Sequence, residues 1–125
     1  MTYISEAVKT LKFNQTISVY KDGDLEIYLA HTGLIEVGFT FGGQHSESKV
    51  KNTLTYGQIR KAIEAAAEII YYYHRDRNRT VYCDIYNKDN YTPKREKLAE
   101  ALGFIPLAPE EFFEVAGDNI WVIPR

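Results

Sequence analysis

Two carboxylates in this 125-residue chain stand at positions from which a side chain can do chemistry. Glu36 lies in IEVGFTF, residues 35–41, where Ile35, Val37, Phe39 and Phe41 share one face and Glu36, Gly38 and Thr40 share the other. Asp84 lies in RTVYCDIY, residues 79–86, where Tyr82, Asp84 and Tyr86 alternate against Val81, Cys83 and Ile85. A carboxylate on the polar face of a strand is either a proton acceptor held by a rigid element or a solvated surface group. Asn87 follows directly and either contacts a ligand or ends the strand. Cys83 falls on the apolar side and reads as a small core side chain, since no paired histidine would activate it. His31, His45 and His74 sit in a turn, a loop and a helix end, and their spacing does not resemble a metal site. YYYHRDRNR, residues 71–79, brings Arg75, Arg77 and Arg79 near aromatics, which suits phosphate contact. Asp76 interrupts the run, and a helix C-terminus favours cations without any ligand.

Those residues need elements to hold them. Ile4, Val8 and Leu11 recur at helical spacing, so residues 3–13 form a short helix or an irregular lead-in. TISVY, LEIYLA and IEVGFTF alternate, and Asp22-Gly23 and His31-Thr32-Gly33 supply the turns of a three-stranded antiparallel meander. GGQHSESKVKNT, residues 42–53, reads as a long loop. A helix then starts with Thr55 as cap, Gln58 as its capping-box partner, and Leu54 stapling to Ile59. Ile59, Ile63, Ala66, Ile70 and Tyr73 form its apolar face, the flanking alanines permit close approach to a sheet, and it ends near 74–76. The strand over 79–86 follows as a crossover, and Thr92-Pro93 opens a second helix with Leu98, Ala101 and Leu102 inward. Gly103 ends that helix, and EFFEV and NIWVI flank AGDN as a closing hairpin. The fold class is therefore α+β: a mixed sheet with an antiparallel N-terminal meander, two packed helices and a C-terminal hairpin.

Composition bounds the rest. One domain spanning 1–125 suits the length, with 45% hydrophobic and 26% charged residues. A formal charge of −2 gives no general attraction to nucleic acid. The single cysteine rules out an internal disulfide and suggests a reducing compartment. With no membrane-length apolar run and no signal-peptide pattern, the expected location is cytoplasmic. Ten tyrosines suit sheet faces, grooves or a partner surface.

IEVGFTF, the helix opening TYGQIRKAI, the strand TVYCDIYNKDN and KLAEALGF with the closing strands together resemble the GNAT acyltransferase family over roughly residues 15–125. The resemblance implies transfer of an acetyl group from acetyl-coenzyme A to an amine, either a small molecule or a protein amino group. It implies a cofactor wedge between strands 35–41 and 80–86. Val37, Gly38 and Phe39 would run beside the pantetheine arm, with Asn87 across from them. Tyr56, Gly57 and Gln58 would meet the pyrophosphate at a helix N-terminus, a location that favours anions. Glu36 becomes the candidate general base and Asp84 a second catalytic or orienting group.

The chain departs from the family in three respects. Only Gly57 and Gln58 stand near the family's glycine-rich phosphate loop. Ala99 occupies the position where a tyrosine commonly protonates the leaving thiolate, leaving Tyr82, Tyr86 or Tyr91 as spatial substitutes. The N-terminal part that usually builds the acceptor pocket is short. These departures favour the alternative of a catalytically inactive protein of the same fold. Such a protein would bind, inhibit or assemble with a partner through its tyrosine-rich surface, a homodimer being one form of this, in the manner of compact bacteriophage proteins. An unrelated α+β fold is the third reading.

Overall fold

The alternation in the first half of the chain produces the sheet directly. A computed structural model describes residues 3–23, 25–41, 55–88, 90, 92–108, 111 and 117–124. Its elements are α1 (Glu6–Lys9), β1 (Thr16–Asp22), β2 (Leu25–His31), β3 (Ile35–Phe41), α2 (Tyr56–Ile70), β4 (Val81–Asp84), α3 (Thr92–Ala101), β5 (Ile105–Pro106) and β6 (Ile120–Val122). Together they make a mixed α/β fold around one core. The long loop 42–53, with His45, lies outside the described residues, as do Leu54 and Tyr91.

The sheet has six strands in the order β1-β2-β3-β4-β6-β5. Strands β1, β2 and β3 form the meander read from the sequence, with Leu29 opposite Val37 and Tyr28 opposite Gly38. The chain then crosses through α2 and returns as β4, parallel to β3. Strand β6 pairs antiparallel with β4, and β5 closes the far edge against β6.

One face of this sheet carries the core. Leu25, Ile27 and Leu29 of β2 and Ile35 and Val37 of β3 have no exposed surface. Each such side chain contributes about 1.5–3 kcal/mol of burial. Val81 and Cys83 of β4 and Trp121 of β6 continue the layer. Helix α2 lies against β1 and β2 on this side. Its buried stripe is Ala62, Ala65, Ala66, Ile69 and Ile70, while Ile59 and Ile63 sit half-buried at its margins. The expected stripe through Ile59 and Ile63 is thus rotated, because the small alanines let the helix seat closer and push the branched side chains to the flanks.

Local signals account for most element ends. Thr55 and Gln58 form the complete capping box. Gly103, at φ 94°, ends α3 as the left-handed residue of a Schellman motif, with Gly103 N–H on Glu100 O and Phe104 N–H on Ala99 O. Phe104 is buried with Ala99 in the core, so this corner is a packing device.

The helical segment of α2 ends near 74–76 as expected, though by a change of helix type, and the ends after it differ from expectation. Helix α2 continues as a π-helical turn over Tyr71–Asp76, where Tyr73 is buried and its hydroxyl donates to Val8 O. The strand expected over 79–86 is narrower, Val81–Asp84, although Ile85 N–H on Asn119 O continues its antiparallel register with β6 by one residue. In α3 the inward residues are Arg95, Leu98 and Ala99, while Ala101 is exposed, because the helix presents its i, i+3, i+4 face. The partner of β6 is Ile105–Pro106. Of EFFEV only Glu111 is among the described residues, and it lies in a turn rather than a strand.

Candidate functional site

The parallel pairing of β3 and β4 is short. Ile35 pairs with Val81 and Glu36 with Tyr82, and no further register follows although β3 runs on to Phe41. Ile35 N–H donates to Thr80 O, so alternate residues of β3 present their backbone toward β4, and Val37 and Phe39 are the next in line. Both side chains lie in the core, so what these residues present toward β4 is backbone.

On the face opposite the core, the register brings four polar side chains together. Glu36 is half-buried between two phenols. Tyr28 donates to its Oε2 at 3.3 Å and Tyr82 to its Oε1 at 3.4 Å. The Tyr82 hydroxyl also meets Thr32 Oγ1 at 2.8 Å. Tyr28 is held over Gly38: a Cβ built there would fall 1.8 Å from Tyr28 Cζ. Glycine at 38 is what lets the ring lie flat on the sheet with its hydroxyl aimed at Glu36. Burial raises both phenols, Tyr82 to about 12, so they remain protonated donors at neutral pH.

Glu36 itself is raised above its ordinary value, chiefly by burial, with the Asp84 charge adding and the two phenol hydrogen bonds opposing. A carboxyl whose folded value lies above its unfolded one binds more protons in the folded state through that window. Its contribution to stability is therefore full below the ordinary value of 4.5 and falls as pH rises through the folded value. Glu36→Gln removes that loss. In thermal melts from pH 4 to pH 8, the variant should gain on the wild type as pH rises. A pH-independent difference would show that Glu36 is not desolvated as described.

Asp84 shares the face of Glu36 but is engaged elsewhere. Its Oδ1 accepts Asn119 N–H at 3.4 Å, and a Cβ at Gly117 would fall 2.6 Å from its Oδ2. Burial raises its carboxyl, and the backbone hydrogen bonds from Asn119 and Asp118 oppose. Asn119 in turn donates to Glu96 at 3.3 Å and accepts Trp121 Nε1 at 2.9 Å. Asp84 thus anchors the turn entering β6.

An open cleft of about 390 Å³ lies beyond the end of β4, lined by Asp84, Ile85, Tyr86, Asn87, Lys88 and Asp118. Its wall is fixed from behind by Arg95. That side chain is 4% exposed, its guanidinium sits 5.6 Å from the Tyr86 ring centroid, and Nη1 donates to Tyr86 O at 3.3 Å. The structure therefore groups Asp84 with Asn87, and separately groups Glu36 with Tyr28, Tyr82 and Thr32.

The residues at the start of α2 are differently committed. Gln58 N–H donates to Thr55 Oγ1 and its side chain accepts Thr55 N–H, so the cap consumes an amide that an anion would use. Tyr56 and Gly57 are exposed. Gly57 has open space: a Cβ there would meet only Thr55 Oγ1, at 3.9 Å.

The basic stretch folds back on the protein. Arg77 donates to the Tyr72 hydroxyl and stacks on its ring, and Arg79 donates to Gly33 O. Cys83 is buried and its thiol is raised by burial, in keeping with a core side chain. Ala99 has no exposed surface and sits in the core.

Sequence reasoning missed Tyr28, Thr32 and Arg95. The first was accessible, because two tight turns fix the meander register and place Tyr28 opposite Gly38.

Among the described residues, no group of three or more His, Cys, Asp or Glu could hold a metal ion. No helix there is long and apolar enough to cross a membrane. Comparison with family models, curated proteins and solved structures finds no match to this chain.

Proposed function

We propose that this chain is a GNAT-like N-acyltransferase that moves an acetyl group from acetyl-coenzyme A to an amine. The observation that carries the reading is the pair β3 and β4: adjacent, parallel, and laddered only at Ile35–Val81 and Glu36–Tyr82 before the ladder ends. A pantetheine arm entering there would meet the backbone of Val37, Gly38 and Phe39 and extend toward the Asp84–Lys88 cleft. Bound acetyl-coenzyme A would supply the activated thioester.

The chain's own residues would do the rest. Glu36 accepts a proton from the amine, a task for which a raised carboxyl suits better than an ordinary one. Tyr28 and Tyr82 orient its two oxygens. Asp84 holds the turn before β6 and acts by positioning. Lys88 offers the cleft a cation, and Asn87 an amide.

A second reading keeps the fold without the chemistry. The core position of Ala99 and the engaged Gln58 amide favour it. Exposed Tyr56 and Tyr71 would then meet a protein partner, with a second copy of the chain as one form of it.

Calorimetry and thermal shift with acetyl-coenzyme A test the first reading. Ligand at about 100 times its dissociation constant should stabilise the protein by about 2.7 kcal/mol. Gly57→Glu fits the open space at the helix start and sets a carboxylate against the pyrophosphate. It should weaken binding tenfold or more without lowering the melting temperature of the free protein. No shift at millimolar acetyl-coenzyme A would remove the acyltransferase reading.

A further inference from the structure

Glu36, Tyr82 and Thr32 form a continuous line of oxygens from the interior of the face to solvent. Glu36 is half-buried, Tyr82 is 2% exposed and Thr32 is exposed. The contacts are 3.4 Å from Tyr82 Oη to Glu36 Oε1 and 2.8 Å from Tyr82 Oη to Thr32 Oγ1. The first is long for an O–H···O bond. Tyr28 holds the other Glu36 oxygen, and among the described residues the Asp84 charge also acts on it.

We propose that Tyr82 and Thr32 are a proton relay that empties Glu36 to solvent after each transfer, an assignment that rests on the acyltransferase reading. A base that takes one proton per turnover must lose it before the next. Tyr28 offers no exit, because the structure gives its hydroxyl one partner among the described contacts, Glu36 itself. Tyr82 meets Thr32 as well as Glu36, and that contact leads outward.

The balance is simple. The amine N–H bond breaks and a Glu36 O–H bond forms. Hydroxyl hydrogens rotate to suit their partners, so the Tyr82 proton can turn toward Thr32 and leave its oxygen open to Glu36. Glu36 then passes its proton to Tyr82 Oη, the former Tyr82 proton passes to Thr32 Oγ1, and the former Thr32 proton passes to water. Each oxygen ends with the hydrogens it began with. No electron pair leaves the chain of oxygens, and no oxidant or co-reactant is needed. Tyr82, which keeps its proton up to about pH 12, need never exist as a free phenolate if the hops are concerted.

The test is coenzyme A thiol release from acetyl-coenzyme A over a panel of primary amines comprising an alkylamine, an arylalkylamine, a polyamine and a lysine-containing peptide. Thr32→Val removes the outer hydroxyl at an exposed position, and Thr32→Ser restores it. Thr32→Val should lower kcat by about tenfold to a hundredfold, less than the ~10²–10⁴-fold of a group that itself acts as acid or base, because water can partly replace the outer hydroxyl. It should leave the KM for acetyl-coenzyme A within about twofold, and reduce the solvent deuterium isotope effect on kcat. Thr32→Ser should recover both rate and isotope effect. A merely structural threonine would alter the melting temperature and leave the isotope effect alone. If the wild type transfers acetyl groups and Thr32→Val matches it in kcat and isotope effect, the relay is wrong and the acyltransferase reading stands. If the wild type transfers none across the panel, both fall together.

Discussion

Gly38→Ala should be among the most damaging single-methyl additions to this chain. The new Cβ would lie 1.8 Å from Tyr28 Cζ and 2.2 Å from its hydroxyl oxygen. No adjustment of tenths of an ångström relieves such a contact, so the ring must leave Gly38. Tyr28 is half-buried and pairs directly with residue 38, and moving it breaks its bond to Glu36. Overpacking of this kind costs about 1–3 kcal/mol, and the lost hydrogen bond to a charged group adds about 1.5–3 kcal/mol. A fall of several kelvin to over ten in melting temperature follows for a domain of this size. The cause is separable from any general dislike of alanine there. In a Tyr28→Ala background the same change should be neutral or slightly stabilising, since alanine loses less chain entropy than glycine in a strand. The coupling in the double-mutant cycle should exceed about 1 kcal/mol. Additive effects would mean that the ring does not rest on the glycine.

Arg95→Ala should rank beside it. The side chain is nearly enclosed, and its guanidinium holds the peptide after Tyr86 while covering the Tyr86 ring. Truncation opens a void and leaves Thr92 Oγ1 donating to Tyr86 O without the guanidinium beside it. Losses of this type run to about 2–5 kcal/mol, and urea denaturation should show a lower midpoint at unchanged slope. Arg95→Lys should recover little, because an ammonium cannot reproduce the planar fork and the stacking. Arg95→Met separates the two parts: a partial rescue assigns the remainder to the hydrogen bond. The same variants should change ligand binding in the cleft, since Tyr86, Asn87 and Lys88 are its wall. Full stability in Arg95→Ala would show that the anchor is ornamental.

Legibility in the sequence follows from how local each cause is. The meander is written in alternation and in Asp22-Gly23; β2 and β3 have the expected faces, while a register shift between Ser18 and Tyr20 breaks the alternation of β1. The capping box of Thr55 and Gln58 and the Schellman ending at Gly103 are equally local. The helix faces were harder. Alanine carries little weight in an apolar pattern, yet Ala62, Ala65 and Ala66 take the centre of α2 because size, not hydrophobicity, sets the distance of approach. Arg95 defeats pattern reading for the opposite reason: a cation in a polar helix looks solvated until Tyr86 is seen beneath it. The mate of β6 was misread because a two-residue strand, Ile105–Pro106, has no periodicity to detect. At the candidate site, Glu36 and its face were legible from alternation. The phenols around it were not, because they arrive from β2 and β4 through register and crossover rather than through neighbouring sequence.

The sheet resembles a book bound by a very short spine. Its two leaves, β1–β2–β3 and β4–β6–β5, share only the two rungs at Ile35–Val81 and Glu36–Tyr82. Past those rungs, opening or closing the pages makes and breaks no backbone ladder. The spacing of the leaves past them rests on how Val37, Phe39, Cys83 and Ile85 pack in the core. A substitution there, buried in the core, would shift the spacing of the two leaves as a shim tunes a joint.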